Sequence, residues 1–291
     1  MIKTVITLDG FLFIHKPTGL TSHDVVNHIR KSWQLDKVGH TGTLDPFASG
    51  LLVLCIGSAT KLAYLFQNLD KRYEGIMVFG LHYDTLDTTG EVLSTRDVTF
   101  DEHAIKAAAE TFKGDYLQTP PMYSAIKQAG TRLYRLARKG QEVEREPRTV
   151  HVHDLVITGQ VDDHTYRFHA HVSKGTYVRS LAADLAGRLG TFGALKTLVR
   201  TDIGPYRLDQ AVNMHDASPA DLFKLEQYFA GHPVVVLNDY MVKLCQNGVY
   251  LDQRQIKTDK PFVAIDSEGK PIAYYEPVET HRYKPILIFK E

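Results

Sequence analysis

The chain has 291 residues, 43% hydrophobic and 23% charged, proportions of a folded globular protein that exclude a mostly disordered, collagen-like or coiled-coil chain. At about 100–200 residues per domain this length predicts two domains, and the longest unbroken apolar run, Leu51–Ile56, is far short of the roughly 18–20 residues of a membrane span. The 34 basic and 34 acidic residues cancel, so only the distribution of charge can point to a polyanionic partner.

In chain order, Phe11–Lys16 is short, apolar and aromatic and stops at Pro17-Thr18-Gly19, the pattern of a strand ending in a turn. A helix follows: Ser22 can cap it, Asp24 sits in its first turn, and Val25, Val26, Ile29 and Trp33 recur on one face. Three glycines and a proline within Lys37–Gly50 predict a structured loop. Leu51–Ile56 reads as a buried strand, Ser58–Leu69 as a helix with Leu62, Leu65, Phe66 and Leu69 inward, and Tyr73–Leu81 as an alternating strand. Beyond them the pattern predicts a helix over about Asp101–Phe112, strands near Val150–Thr158 and Thr165–Val172, and helices over about Thr176–Leu189 and Ala220–Tyr228.

No regular βαβ rhythm links these pieces, which predicts an α+β fold on a mixed, largely antiparallel sheet rather than a doubly wound one. A boundary near residue 230 separates residues 1–230 from a tail, 231–291. The tail's short strands (Val234–Leu237, Phe262–Ile265, Ile286–Phe289) are divided by turns such as Asn247-Gly248 and Glu268-Gly269. A β-rich module of that size is marginal alone. The first residues, MIKTVITLDG, lack the apolar stretch and cleavage site of a secretory signal, and Cys55 and Cys245 have no metal-ligand spacing. Two reduced, structural thiols and a cytoplasmic location are therefore expected.

Positive charge gathers in two windows. From Met122 to Arg148 seven basic residues face three acidic ones, and from Ser173 to Arg207 six face two, a net of +4 in each. The first window is also a long, turn-rich interruption of the kind that is commonly functional, and both suit a phosphate backbone.

Three stretches could carry chemistry. In Gly39-His40-Thr41-Gly42-Thr43-Leu44-Asp45-Pro46 the proline biases Asp45 toward an extended conformation, presenting a carboxylate from a glycine-rich loop; a plain Asp-Pro turn is the alternative. The Gly39–Gly42 spacing also matches the GxxG clamp of a KH module, but Asp45-Pro46 stands where that module's helix should run. Ser173-Lys174-Gly175-Thr176-Tyr177-Val178-Arg179 leaves a strand and opens a helix. Its N–H groups, Lys174 and Arg179 suit a phosphate or a carboxylate, or simply a capped helix. Lys71-Arg72-Tyr73 sets two cations beside an aromatic at a strand start, suited to base stacking, although strand tyrosines commonly belong to the core. Among 14 histidines, His151/His153 and His169/His171 are spaced i, i+2. On strands each pair shares a face, so two adjacent strands could assemble a zinc site, though no cysteine or supporting pattern accompanies them.

Residues 39–62, GHTGTLDPFASGLLVLCIGSATKL, resemble the catalytic loop and following segment of the bacterial tRNA pseudouridine-55 synthases, the TruB family. The likeness extends in order along residues 10–207. Lys16–Asp24 (KPTGLTSHD) is similar to the family's N-terminal motif and Lys71-Arg72-Tyr73 to its tyrosine motif. Gln118–Lys127 (QTPPMYSAIK) with Leu133–Arg145 resembles its RNA-gripping insertion, and Ser173–Arg179 and Leu198–Arg200 complete the set.

The resemblance implies a pseudouridine-synthase-like catalytic domain over 1–230, an RNA-binding insertion at about 122–148 and a PUA-like RNA-binding tail over 231–291. It implies Asp45 as the catalytic aspartate, Tyr73 stacked on a flipped uracil, and Arg179 paired with the Asp45 carboxylate and keeping it ionised. His40 would fill the space the flipped nucleotide leaves, while Tyr177, Lys61 and Leu198 would line the pocket. Lys16, Arg132 and Arg138 would contact the RNA. The implied partner is the T-arm of tRNA, extruded base first, and a monomer without cofactor, metal or membrane is expected. A non-catalytic RNA-binding protein on the same scaffold is the alternative, and it would not need Asp45.

Overall fold

A computed structural model describes residues 8–128, 130–280 and 282–289; the stretch 1–7, read above for a targeting signal, lies outside the described residues. The chain runs β1 (Gly10–Lys16), α1 (Ser22–Ser32), β2 (Val38–His40), β3 (Ser49–Ile56), a 3-10 turn over Gly57–Leu62, α2 (Ala63–Gln67), β4 (Lys71–Phe79), β5 (Leu81–Tyr83), β6 (Val92–Thr95), α3 (Glu102–Glu110) and β7 (Gly114–Gln118). It continues through β8 (Lys127–Gln128), β9 (Thr131–Arg132), α4 (Leu133–Ala137), β10 (Arg148–Asp162), β11 (Thr165–Val172), α5 (Val178–Arg188), β12 (Gly193–Ile203), β13 (Tyr206–Arg207), β14 (Val212–Asn213), β15 (Phe223–Lys224) and α6 (Leu225–Phe229). The last elements are β16 (Val234–Val236), α7 (Asp239–Gln246), β17 (Leu251–Asp252), β18 (Phe262–Ile265), β19 (Pro271–Glu279) and β20 (Arg282–Ile288).

One large sheet has the order β14-β1-β3-β12-β4-β11-β10-β7, with β2, β13 and β15 at its margins. Only β1/β14 and β3/β12 pair in parallel, so the sheet is mixed and largely antiparallel. The unbroken apolar run of β3 has a direct cause: the strand is covered on both faces. Leu51, Val53 and Cys55 pack with Phe11 and Phe66, whereas Leu52, Leu54 and Ile56 meet Val25, Val26 and Ile29 of α1. In β11 only one face is covered, and the residues alternate: Tyr166, Phe168, Ala170 and Val172 point into the core that holds α3 and α5, while His169 and His171 face outward.

Several predicted elements are placed differently. Thr21, not Ser22, caps α1, in a reciprocal box with Asp24; Ser22 is the first helical residue and is buried. The expected helix over 58–69 divides into the 3-10 turn and α2. The expected helix near 220–228 becomes a 3-10 turn over Pro219–Asp221, then β15, whose Phe223 and Lys224 pair with β1, and only then α6. In the tail, α7 was not foreseen, although Asn238 caps it through Met241 N–H and Asn247-Gly248 closes it. Strand β19 also escaped, because prolines at 271 and 277 obscure its pattern.

The tail forms a five-stranded sheet, β16-β18-β19-β20-β17, with its own core around Cys245, Phe262, Tyr275 and Tyr283. Its other face is not free: Val263, Tyr274 and Leu287 share a core cluster with Phe11, Phe66 and Phe229. Tyr64 donates a hydrogen bond to the Glu276 carboxylate across the same seam. Cys55 and Cys245 are buried and unpaired. Among the described residues no helix is long and apolar enough to cross a membrane.

Candidate active site

Asp45 sits on the loop between β2 and β3 and is tethered on both flanks. The Leu44 N–H donates to Ser22 Oγ at 2.9 Å and the Ser22 hydroxyl donates back to the Leu44 carbonyl at 3.1 Å. On the other side the Gly19 N–H donates to the Pro46 carbonyl at 2.7 Å. The segment from Lys16 to Asp24 therefore grips the loop by its backbone, independently of the side chains the loop presents.

The carboxylate of Asp45 meets Arg179 in the first turn of α5, with Nε 2.8 Å from Oδ2. The guanidinium is 4% exposed and otherwise bonded to backbone: Nη1 donates to the Thr85 carbonyl and Nη2 to the Tyr123 carbonyl, each at 2.7 Å. A second carboxylate, that of the buried Asp87, stands 3.7 Å from Nη1. Burial pushes the Asp45 carboxyl above the ordinary aspartate range; Arg179 opposes the shift and the like charge of Asp87 adds to it. The net direction is upward: Arg179 favours the ionised form, and the cost of burial is the larger effect.

Asp45 opens into a cleft of about 290 Å³ whose walls include Tyr73, Tyr177, Leu198, Lys71 and Arg200. Tyr177 is held through its backbone: Gln118 accepts its N–H at 2.7 Å and donates to its carbonyl at 3.0 Å. That bond occupies an N–H expected at the helix start to be free for an anion. Arg200 on β12 is 1% exposed and donates from Nε to the Leu51 carbonyl at 2.8 Å and from Nη2 to the Gly42 carbonyl at 3.2 Å. Its strand can come this close because the residue opposite is Gly50, at φ +110; a Cβ there would stand 2.3 Å from the Arg200 carbonyl oxygen.

Two buried lysines add positive charge. Lys71 donates to the carbonyls of Gln67, the last residue of α2, and Leu69, at 2.7 and 2.5 Å, and burial lowers its pKa to about 8. Lys16 donates to the Pro17 and Leu20 carbonyls at 2.8 and 2.7 Å; burial takes it to about 8 as well, against the pull of Asp45. Both ammonium groups, including that of Lys16 expected at the RNA, are bonded to backbone carbonyls.

Of the residues expected at the site, Asp45, Arg179, Tyr73, Tyr177 and Leu198 converge on the cleft. His40 ends β2, one residue before the cleft-lining Thr41, with Nδ1 buried and without a hydrogen-bond partner. Lys61 is a correction: it is exposed on the 3-10 turn, whose inward face is Ala59 and Leu62, and it lines no part of the cleft. Arg132 and Arg138 lie exposed around α4 in the insertion, Arg138 over the Tyr134 ring at 5.6 Å. The second basic window offers solvent less charge than its composition suggests, since Arg179 and Arg200 turn inward. Asp87, Gln118 and Ser22 also belong to the site: Ser22 and Gln118 lie within the family-like motifs Lys16–Asp24 and Gln118–Lys127 but act through backbone, and Asp87 acts through Arg179. The histidine pairs do lie on adjacent strands, and three of the rings adjoin, His151 4.6 Å from His153 and His153 4.3 Å from His171, but His151 Nδ1 is 2.5 Å from Asp115 and His169 Nδ1 is 3.9 Å from Glu74, so the four do not share one centre.

The family profile described as TruB family pseudouridylate synthase (N terminal domain) matches residues 30–178, which include Asp45 and Tyr73 and end one residue before Arg179. A protein of Onion yellows phytoplasma (strain OY-M) called tRNA pseudouridine synthase B is 48% identical over 283 residues, 97% of this chain and 100% of the relative. Its namesake in Acholeplasma laidlawii (strain PG-8A) is 46% identical over 282 residues with the same coverage. Among solved structures, a chain of an H/ACA RNP bound to a substrate RNA containing 2'-deoxyuridine superimposes with a TM-score of 0.70 at 20% identity, covering 98% of this chain and 86% of that one. At that identity the likeness concerns the fold.

Proposed function

The chain belongs to the TruB family of pseudouridylate synthases, and from that membership we propose that it isomerises uridine to pseudouridine at position 55, in the T-loop of tRNA, with Asp45 as the catalytic carboxylate. The observation that carries the reading is the cleft itself. A carboxylate bonded to a buried arginine faces an aromatic ring, Tyr73, and an apolar wall, Leu198, in a space suited to a planar base.

The chemistry matches what the cleft offers. Isomerisation breaks the C1′–N1 bond, turns the uracil and joins C1′ to C5; the C5 proton is lost and N1 gains one, so nothing is oxidised and no group is imported. Uracil can depart as a delocalised anion, which makes a second carboxylic acid, required where a poor oxygen leaving group departs, unnecessary. Asp45 either attacks C1′ or removes the 2′ proton to give a glycal, and both routes require its ionised form. Tyr73 stacks on the extruded base and Arg179 orients Asp45. Tyr177 and Leu198 exclude water, which would otherwise hydrolyse the sugar intermediate. His40 occupies the place the base vacates. Arg132 and Arg138 grip the phosphate backbone, repaying the few kcal/mol of unstacking, and the tail acts as a PUA-like RNA-binding module. The enzyme works as a cytoplasmic monomer.

The test is to incubate the pure protein with a T-arm transcript, without added metal or nucleotide, and to map pseudouridine. Product at one T-loop uridine, that of position 55, is expected. An intact, folded protein that binds the transcript yet leaves it unmodified would overturn the reading in favour of a binding protein.

A further inference from the structure

On the face of the large sheet that points away from the cleft, β10 and β11 bring His153 and His171 into ring contact, with centroids 4.3 Å apart and planes 28° from parallel. A bulge in the pairing between Val152 and Asp154 leaves His153 as the extra residue and turns it onto His171. Asp70, immediately before β4, completes the group: its Oδ2 lies 2.9 Å from His153 Nε2, an atom that is closed off from solvent yet has no aligned hydrogen bond. One donor atom from each of the three residues lies within 4.8 Å of the other two.

We propose that Asp70, His153 and His171 form a binding site for a borderline divalent transition metal, zinc above all. Two imidazoles and one carboxylate are the donors such ions prefer, whereas calcium and magnesium take oxygen shells. Ligands on one tetrahedral zinc stand about 3.4 Å apart, so the widest pair has at most about 1.4 Å to close and the Asp70–His153 pair about 0.5 Å to open, within the reach of side-chain rotation. Asp70 and His153 keep 42% and 35% of their side-chain surface, which leaves an entry path and room for water as a fourth ligand. The cationic Arg72 stands opposite His171 on β4 and the anionic Asp154 opposite it on β10, so the nearest strand neighbours offset one another.

The site does not serve the isomerisation. Along β4, Arg72 pairs with His171 and Tyr73 with Ala170; neighbouring residues take opposite faces, which puts the ion behind the sheet from the stacking ring. Its effect is mechanical. A metal there straps the segment entering β4 to β10 and β11, and the backbone carbonyl of Asp70 already anchors that segment just past the end of β12 by accepting the Gly204 N–H at 2.9 Å. The ion stabilises the folded chain by binding it in preference to the unfolded one.

Titration of the metal-stripped full chain with zinc chloride, followed by calorimetry, tests this, with cobalt(II) absorption as a second reading of coordination. One ion per chain is expected, with a melting temperature that rises with zinc. His171→Ala and the isosteric Asp70→Asn should each weaken the affinity by at least about tenfold and abolish the thermal shift, while His169→Ala, beside the group, should leave both intact. Absence of stoichiometric binding to the native chain overturns the proposal. So does undiminished binding in folded Asp70→Asn, which would place the ion on other histidines. Neither outcome touches the reading of the cleft.

Discussion

Ser22 and Leu44 exchange two hydrogen bonds, the Ser22 hydroxyl serving both the N–H and the carbonyl of Leu44 at 2.9 and 3.1 Å. The pair is buried, Ser22 at 1% and Leu44 at 3% exposure, and the next residue is Asp45. The geometry makes one side chain of α1 the anchor of the catalytic loop. Ser22→Ala leaves both backbone groups unsatisfied, at about 1–3 kcal/mol, and frees Asp45 to drift. The single-turnover rate should fall about 10–100-fold with tRNA affinity little changed; an unaltered rate would mean that the Gly19–Pro46 tether suffices.

Asp45→Asn keeps the size of the side chain and removes its ability to attack or to take a proton. Turnover should vanish while tRNA binding persists, as filter binding beside pseudouridine mapping can show. Product above background from this variant would remove Asp45 from its role.

The raised pKa of Asp45 predicts an acid limb. If Asp45 reacts in its ionised form, kcat/KM should fall as pH drops through a value above the ordinary 3.8. Asp87 contributes to the rise by like charge, so Asp87→Asn should move the limb to lower pH, whatever it does to the plateau. Movement to higher pH would contradict the electrostatic assignment.

Arg132 and Arg138 face solvent in the insertion. If they hold phosphates, affinity should drop steeply with salt, and Arg132→Ala or Arg138→Ala should each lessen the log–log slope by about one contact. Equal slopes in the native protein and both variants would show that these arginines merely solvate the surface.

Tyr274 joins the tail to the rest of the chain, 2% exposed and with its ring 4.7 Å from that of Phe229. Tyr274→Ala should cost about 3–5 kcal/mol and lower a single, shared melting transition. Two separate transitions in the native protein would show instead that the tail folds on its own.

Local pattern was sufficient for much of this molecule. The apolar run of β3, the alternation of β11 and the glycine-proline loop that presents Asp45 are all legible, since each depends on residues next to one another in the chain. The motifs shared with the TruB family also singled out Asp45, Tyr73, Tyr177, Arg179 and Leu198, which the structure gathers at one cleft. What tertiary structure decided was the company these residues keep. Lys16 was expected at the RNA and Lys71 beside a stacking ring, and both ammonium groups are bonded to backbone carbonyls; Lys61 was expected in the pocket and is exposed. Gln118, Ser22 and Asp87 act on the site across separations of 59, 22 and 92 residues, which local periodicity does not encode. The physical reason is the same throughout: backbone propensity and periodicity are short-range, whereas desolvation, ion pairing and the satisfaction of buried polar groups depend on which distant strands the fold lays side by side.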